Sequence, residues 1–132
     1  MNVWGLLTGG LILAAAYIHH GLGTRKIWLP ALAKLDEAQV NQRIKATLGF
    51  MWHGITLWSI VMGLMAIYAV FTQNSAPEFA KAFYLSICLL NTPFAIVATL
   101  YGKLVYDKFR ASPQWLLFWP ISFTSFLAFI SV

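Results

Sequence analysis

The chain has 132 residues, 60% of them hydrophobic and only 10% charged, with a formal net charge of +5 and a mean hydropathy of +0.72. A water-soluble domain of this size cannot bury so much apolar surface, which excludes an ordinary globular core. The nine Lys and Arg fall between apolar runs, so the charge reports membrane topology and not nucleic-acid binding.

A helix needs roughly 20 apolar residues to cross a bilayer, and four runs approach that length, at about residues 3–22, 48–71, 83–104 and 115–132. Backbone groups left unpaired in lipid are costly, so each run is expected to be a continuous helix. The expected fold is an all-α integral membrane protein: one membrane domain, 1–132, folded as an antiparallel bundle of four transmembrane helices joined by short loops.

The first run follows Met1-Asn2 with no basic segment ahead of it, and it reads as a span and not a cleaved signal. Gly5, Gly9, Gly10 and Ala14 carry the small-residue spacing that lets helices approach closely, inside the chain or between copies. Residues 24–47 form the longest loop, with Arg25, Lys26, Lys34, Arg43 and Lys45. Within it, Trp28-Leu29-Pro30 is expected to break the chain, and Asp36 to cap a helix that leads into the second span.

A polar connector from Thr72 to Glu78 leads to the third run, where Asn91-Thr92-Pro93 predicts a packed kink and Cys88 reads as a packing residue. In the fourth run, Trp119-Pro120 is followed by Ser122, Thr124 and Ser125, hydroxyls able to bond within the helix or across to a neighbour. Trp4, Trp28, Trp52, Trp115 and Trp119 lie near the expected span ends and read as interface anchors. The first loop and the third, with Lys103, Lys108 and Arg110, stand against Lys81 alone in the second. The positive-inside rule then makes the first and third loops cytoplasmic and puts both termini outside.

No run contains an acidic residue, and the ionisable groups inside the spans are the histidines, default candidates for function. His19 and His20 come just before the cytoplasmic end of the first span, and His53 just after the start of the second. At about 1.5 Å rise per residue all three fall at one depth. The chemistry open to such a cluster is metal coordination by His19 and His53, haem ligation, proton transfer, or binding of an anionic or quinone-like head group. Arg25, Trp52, Tyr101, Tyr17 and Lys103 are expected at the same face. The alternative is that interfacial histidines bond lipid, water or a neighbouring helix and hold no ligand.

The stretch from His19 to Ile27, followed by Trp52-His53-Gly54-Ile55-Thr56, resembles a family of small bacterial membrane proteins with no assigned activity. That family carries a His-Ser-x-x-Gly-Glu pattern ending its first span and a Trp-His pair with a nearby Thr in its second. His19, Gly23, Arg25, Trp52 and His53 match, over roughly the first half of the chain, while Thr24 stands where the family has an acidic residue. The resemblance implies a bacterial inner-membrane protein and favours His19 over His20 as the site histidine.

Three function classes follow. The first holds a metal, haem or small ligand at the histidine cluster; the second is an accessory or scaffold subunit of a larger membrane complex; the third is a small oligomeric transporter. The missing deep carboxylate counts against proton-coupled export. No Ser or Cys stands beside a His and a carboxylate, which counts against nucleophilic catalysis. The expected partners are membrane lipids, further copies of the chain or a larger complex, and no nucleic acid.

Overall fold

The computed structural model describes residues 1–106 and 115–132. The described residues are helical, with no strand. The helices are α1 (Val3–Ile18), a ten-residue π-helical segment (His19–Trp28), α2 (Leu29–Glu37), α3 (Gln42–Thr72), α4 (Pro77–Tyr106) and α5 (Trp115–Ile130). The continuous helix Val3–Glu37, α3, and Pro77–Leu100 within α4 are long and apolar enough to cross a membrane. The fourth apolar helix, α5, is shorter at 16 residues, about 24 Å at the helical rise. Large apolar side chains point outward along the bundle, among them Phe50 at 79% exposure and Phe71 at 71%. A surface of that kind suits lipid and not water.

The first loop differs from its expected form. Pro30 does not break the chain. It sits in the first turn of α2, at the junction where the π register gives way to the α register within the continuous helix Val3–Glu37. Asp36 does not cap the start of a helix either, because it lies in the last turn of α2, which ends one residue later. Gln39 adopts a left-handed φ of 53°, the Gln39 N–H reaches the Asp36 carbonyl, and the Val40 N–H reaches that of Leu35, which together close the helix C-terminus in a Schellman motif. Only residues 38–41 separate α2 from α3. Asn41 supplies the cap, its Oδ1 accepting the Arg43 N–H at 2.8 Å. Asp36 instead pairs with Lys45 across this turn; with Asp36 59% exposed, such a pair adds under about 1 kcal/mol.

The core is built from small residues. Ala66, Ala69, Ala80 and Ala128 are fully buried with Tyr84 and Ile87, and Ile12, Val70 and Ile121 complete the cluster. Lipid gives no hydrophobic drive to helix association, so close van der Waals packing has to supply it, and small side chains permit that. α1 and α3 approach most closely at Gly9 and Gly63. A Cβ on Gly9 would stand 2.9 Å from the Gly63 carbonyl, and one on Gly63 3.1 Å from that of Gly9. Gly5 is filled from outside: its Cβ position lies 2.3 Å from the Tyr84 hydroxyl, which donates to the Ala66 carbonyl at 3.0 Å. Tyr84 of α4 therefore wedges into the α1–α3 seam. The glycines at 5 and 9 serve packing inside the chain, while Gly10 faces open space.

Hydroxyls and amides tie α5 to the rest. Asn2 caps α1 through Oδ1, which accepts the Gly5 N–H at 3.1 Å, and its amide donates to the Ala128 carbonyl at 2.9 Å. Thr8 bonds Thr124 at 3.0 Å. Thr92 meets Ser122 at 2.5 Å and Trp119 donates to Thr99 at 3.1 Å, joining α4 to α5. Asn91, beside Pro93, bonds back to Ile87 at 2.8 Å, so it satisfies its own helix and does not reach across. Cys88 lies half-buried beside Thr92 and Ser122.

Gly63→Leu is expected to force α1 and α3 apart and to cost about 1–3 kcal/mol or more, read as a lower thermal midpoint of helical circular dichroism in detergent. Gly10→Ala, with nothing within 4 Å of its added Cβ, is expected to leave that midpoint unchanged.

Candidate functional site: the histidine and tryptophan cluster

The cluster forms where the π segment packs against the first half of α3, and its centre is Trp52. The His19 ring stacks on one side of the indole, with centroids 4.1 Å apart and planes 28° apart. Trp28 also stacks on it, at 5.8 Å and 18°. The indole N–H donates to the Thr24 hydroxyl at 3.1 Å. Gly23 is buried beneath the ring, its Cβ position 3.1 Å from Trp52 Cζ2, so a larger residue there would push the indole. Gly49 leaves similar room for Trp28, at 3.4 Å.

These contacts depend on the helical register. Residues 19, 23, 24 and 28 are spaced i, i+4, i+5 and i+9. In an α-helix of about 3.6 residues per turn, nine residues make two and a half turns, and Trp28 would face away from His19. With i→i+5 hydrogen bonds and about 4.4 residues per turn, nine residues make close to two turns, and all four positions share one face. The Leu29 N–H reaching the Thr24 carbonyl is the last bond of this register. The π segment thus converts the sequence spacing into a clasp around Trp52.

His19 is fixed at both its edge and its face. Its Nδ1 lies 3.0 Å from the buried Thr56 hydroxyl. That hydroxyl in turn sits 3.5 Å from the Trp52 carbonyl as a donor, the back-bond usual for a threonine inside a helix. The His19 ring and the Thr56 hydroxyl are thus hydrogen-bonded to each other, which fixes the edge of the imidazole against α3.

One residue further along each chain segment, His20 and His53 meet edge to face, with ring centroids 6.2 Å apart and planes at 62°. Both are exposed, while His19 is half-buried. The closest histidine pair is therefore His20 with His53, and His19 pairs with Trp52 and Thr56 instead of with His53. Among the described residues, no group of three or more His, Cys, Asp or Glu is gathered as a metal centre. Arg25 is exposed on the π segment and Tyr17 is 78% exposed on α1. The side chains of Tyr101 and Lys103, and all of Lys108 and Arg110, lie outside the described residues.

Three residues are more closely involved than their sequence signals suggested. Trp28 reads as an interface anchor but stacks within the cluster. Thr24, in place of the acidic residue of the family it resembles, is the acceptor for Trp52. Thr56 orients His19. The spacing of 19, 23, 24 and 28 was the available signal, and it is invisible to any reading that assumes an α-helix.

Compared with known protein families, with curated proteins and with solved structures, the chain matches none. The resemblance noted above therefore rests on its short motifs, and the geometry of the cluster carries the functional argument.

Thr24→Val leaves the part-buried indole N–H without an acceptor and is expected to cost about 1–3 kcal/mol, with a change in tryptophan fluorescence as Trp52 loosens. Thr24→Ser, which retains the hydroxyl, is expected to keep both stability and spectrum; unfolding monitored by fluorescence in detergent checks the pair.

Proposed function

We propose that this protein is an integral membrane protein of the bacterial inner membrane whose four apolar helices span the bilayer as an antiparallel bundle. In this reading the histidine cluster lies at the cytoplasmic face, both termini lie outside, and the cluster binds a transition-metal ion through His20 and His53. The antiparallel arrangement is supported by contacts that run in opposite directions: α1 meets α3 through Gly5 with Val70, Gly9 with Gly63 and His19 with Thr56. α4 meets α5 through Thr92 with Ser122 and Thr99 with Trp119. The orientation is supported by the basic residues of the first loop.

The observation that carries the metal reading is the 6.2 Å separation of the His20 and His53 rings. Two imidazoles that bind one ion in line through nitrogens at about 2.0–2.1 Å, at a tetrahedral angle, place their ring centroids about 5 Å apart, so side-chain rotation that closes the pair by about 1 Å brings both nitrogens onto one ion. Neutral imidazole suits zinc, copper, iron and nickel. The clasp behind the pair provides rigidity: His19, Trp52, Trp28 and Thr24 hold the π segment and α3 in fixed relation, so His20 and His53 are presented by two locked backbones.

Purified full-length protein in mild detergent is expected to bind zinc, measured by elemental analysis after gel filtration, and to lose that binding in both His20→Ala and His53→Ala. Binding retained in the two variants, or none in the native chain, rejects the metal reading. A visible Soret band in the native protein would replace it with haem ligation.

A further inference from the structure

The π register that builds the clasp also decides what stands beside His20. Arg25 follows His20 by five residues. At about 3.6 residues per turn the two side chains would leave the helix about 140° apart. At about 4.4 residues per turn five residues make little more than one turn, and both leave on one face, about 50° apart. Both are exposed, and the exposed His53 of α3 meets His20 edge to face. The ion pair among the described residues joins Lys45 to Asp36, so no described carboxylate neutralises Arg25. Hydrogen-bond donors from two helices, one of them permanently cationic, thus face outward together.

The level of this face follows from the packing of α1 on α5. Thr8 bonds Thr124 across that contact. α5 starts at Trp115, nine residues from Thr124, and nine residues along from Thr8 lies Tyr17. His20 and Arg25 come after Tyr17, past the level at which the apolar α5 begins, where head groups replace acyl chains. In the other direction from His53, toward the middle of the bilayer, Leu57, Ile60, Val61 and Leu64 share its face of α3, and all are exposed. The face therefore carries a cation and N–H donors at one end and an apolar stripe running from them into the membrane.

We propose that this face binds one anionic phospholipid, its phosphate held by the Arg25 guanidinium and a ring N–H of His20, its acyl chains lying along Leu57, Ile60, Val61 and Leu64. A planar guanidinium matches phosphate oxygens in pairs. Inorganic phosphate would engage only the polar end, whereas a lipid uses the charge and the stripe together. The proposal takes its bilayer placement from the reading above and needs no metal; an ion on His20 and His53 would compete with the phosphate for His20.

The test strips the full-length protein of lipid in neutral detergent with chelator present, titrates it with phosphatidylglycerol, and counts bound lipid by native mass spectrometry. One phosphatidylglycerol per chain is expected, with zwitterionic phosphatidylcholine held about tenfold more weakly or less. Arg25→Gln and His20→Gln, with folding checked by circular dichroism, are each expected to weaken phosphatidylglycerol by about tenfold. Lys34→Gln, which removes another exposed base of the same loop, is expected to change nothing. Equal weakening in Arg25→Gln and Lys34→Gln, or equal retention of the two lipids, overturns the site in favour of general charge attraction or plain apolar contact. Displacement by inorganic phosphate at the lipid's own concentration overturns the lipid as its occupant, and binding that appears only when metal is restored overturns it in favour of the ion. The bilayer placement is checked separately: the protein is expected to stay with membranes washed in alkaline carbonate, and its release there rejects that placement and the lipid site with it.

Discussion

The contact between Gly9 and Gly63 is the constraint on which the rest of the molecule depends. With no Cβ on either residue, the α1 and α3 backbones come together until carbonyl oxygens stand where side chains would otherwise be. Helices that cross so closely are fixed in register as well as in distance, since each ridge then fits a single groove. His19 lies ten residues beyond Gly9 and His53 ten residues before Gly63. At equal rise the two positions are carried the same distance, about 15 Å, from the point of contact. The common depth of the histidines is thus a consequence of glycines that are nowhere near them.

Depth alone does not bring side chains together; the direction in which they leave the helix must also agree. That direction is set by the change from α to π register at His19. A π turn sacrifices good hydrogen-bond geometry and is seldom sustained over ten residues, so the segment needs compensation from outside. Trp52 supplies it: a single indole stacks on His19 and Trp28, bonds Thr24 and covers Gly23. The clasp and the unusual register support each other, and His20 and His53, adjacent to His19 and Trp52 in sequence, are placed by both.

The far end of the molecule is held by a different chemistry. Tyr84, Asn2, Thr8, Thr124, Thr92 and Ser122 form short polar bridges between helices, each satisfying groups that lipid cannot. They anchor α4 and α5 against the α1–α3 pair without engaging its histidine end. The histidine cluster is therefore separated along the bundle from these polar bridges.

Hydropathy and the even rise of a helix are properties of residue order alone, and they determined the all-helical character, the long apolar helices and the equal depth of His19, His20 and His53. The small-residue spacing at Gly5 and Gly9 was likewise legible, because close approach requires it whatever the partner. Which partner it met, Gly63 and Tyr84, was not, since nothing local distinguishes one apolar helix from another. The pairing of His20 with His53 and of His19 with Thr56 also belonged to the tertiary structure: azimuth follows from the number of residues per turn, and the π register that altered it is stabilised by Trp52 from another helix. The first loop shows the same division. Pro30 and Asp36 carried local signals for a break and a cap, but Pro30 continued the helix in its first turn, while Asp36 closed the preceding helix and paired with Lys45. The cap fell to Asn41, because the left-handed turn at Gln39 decided where one helix ended and the next could begin.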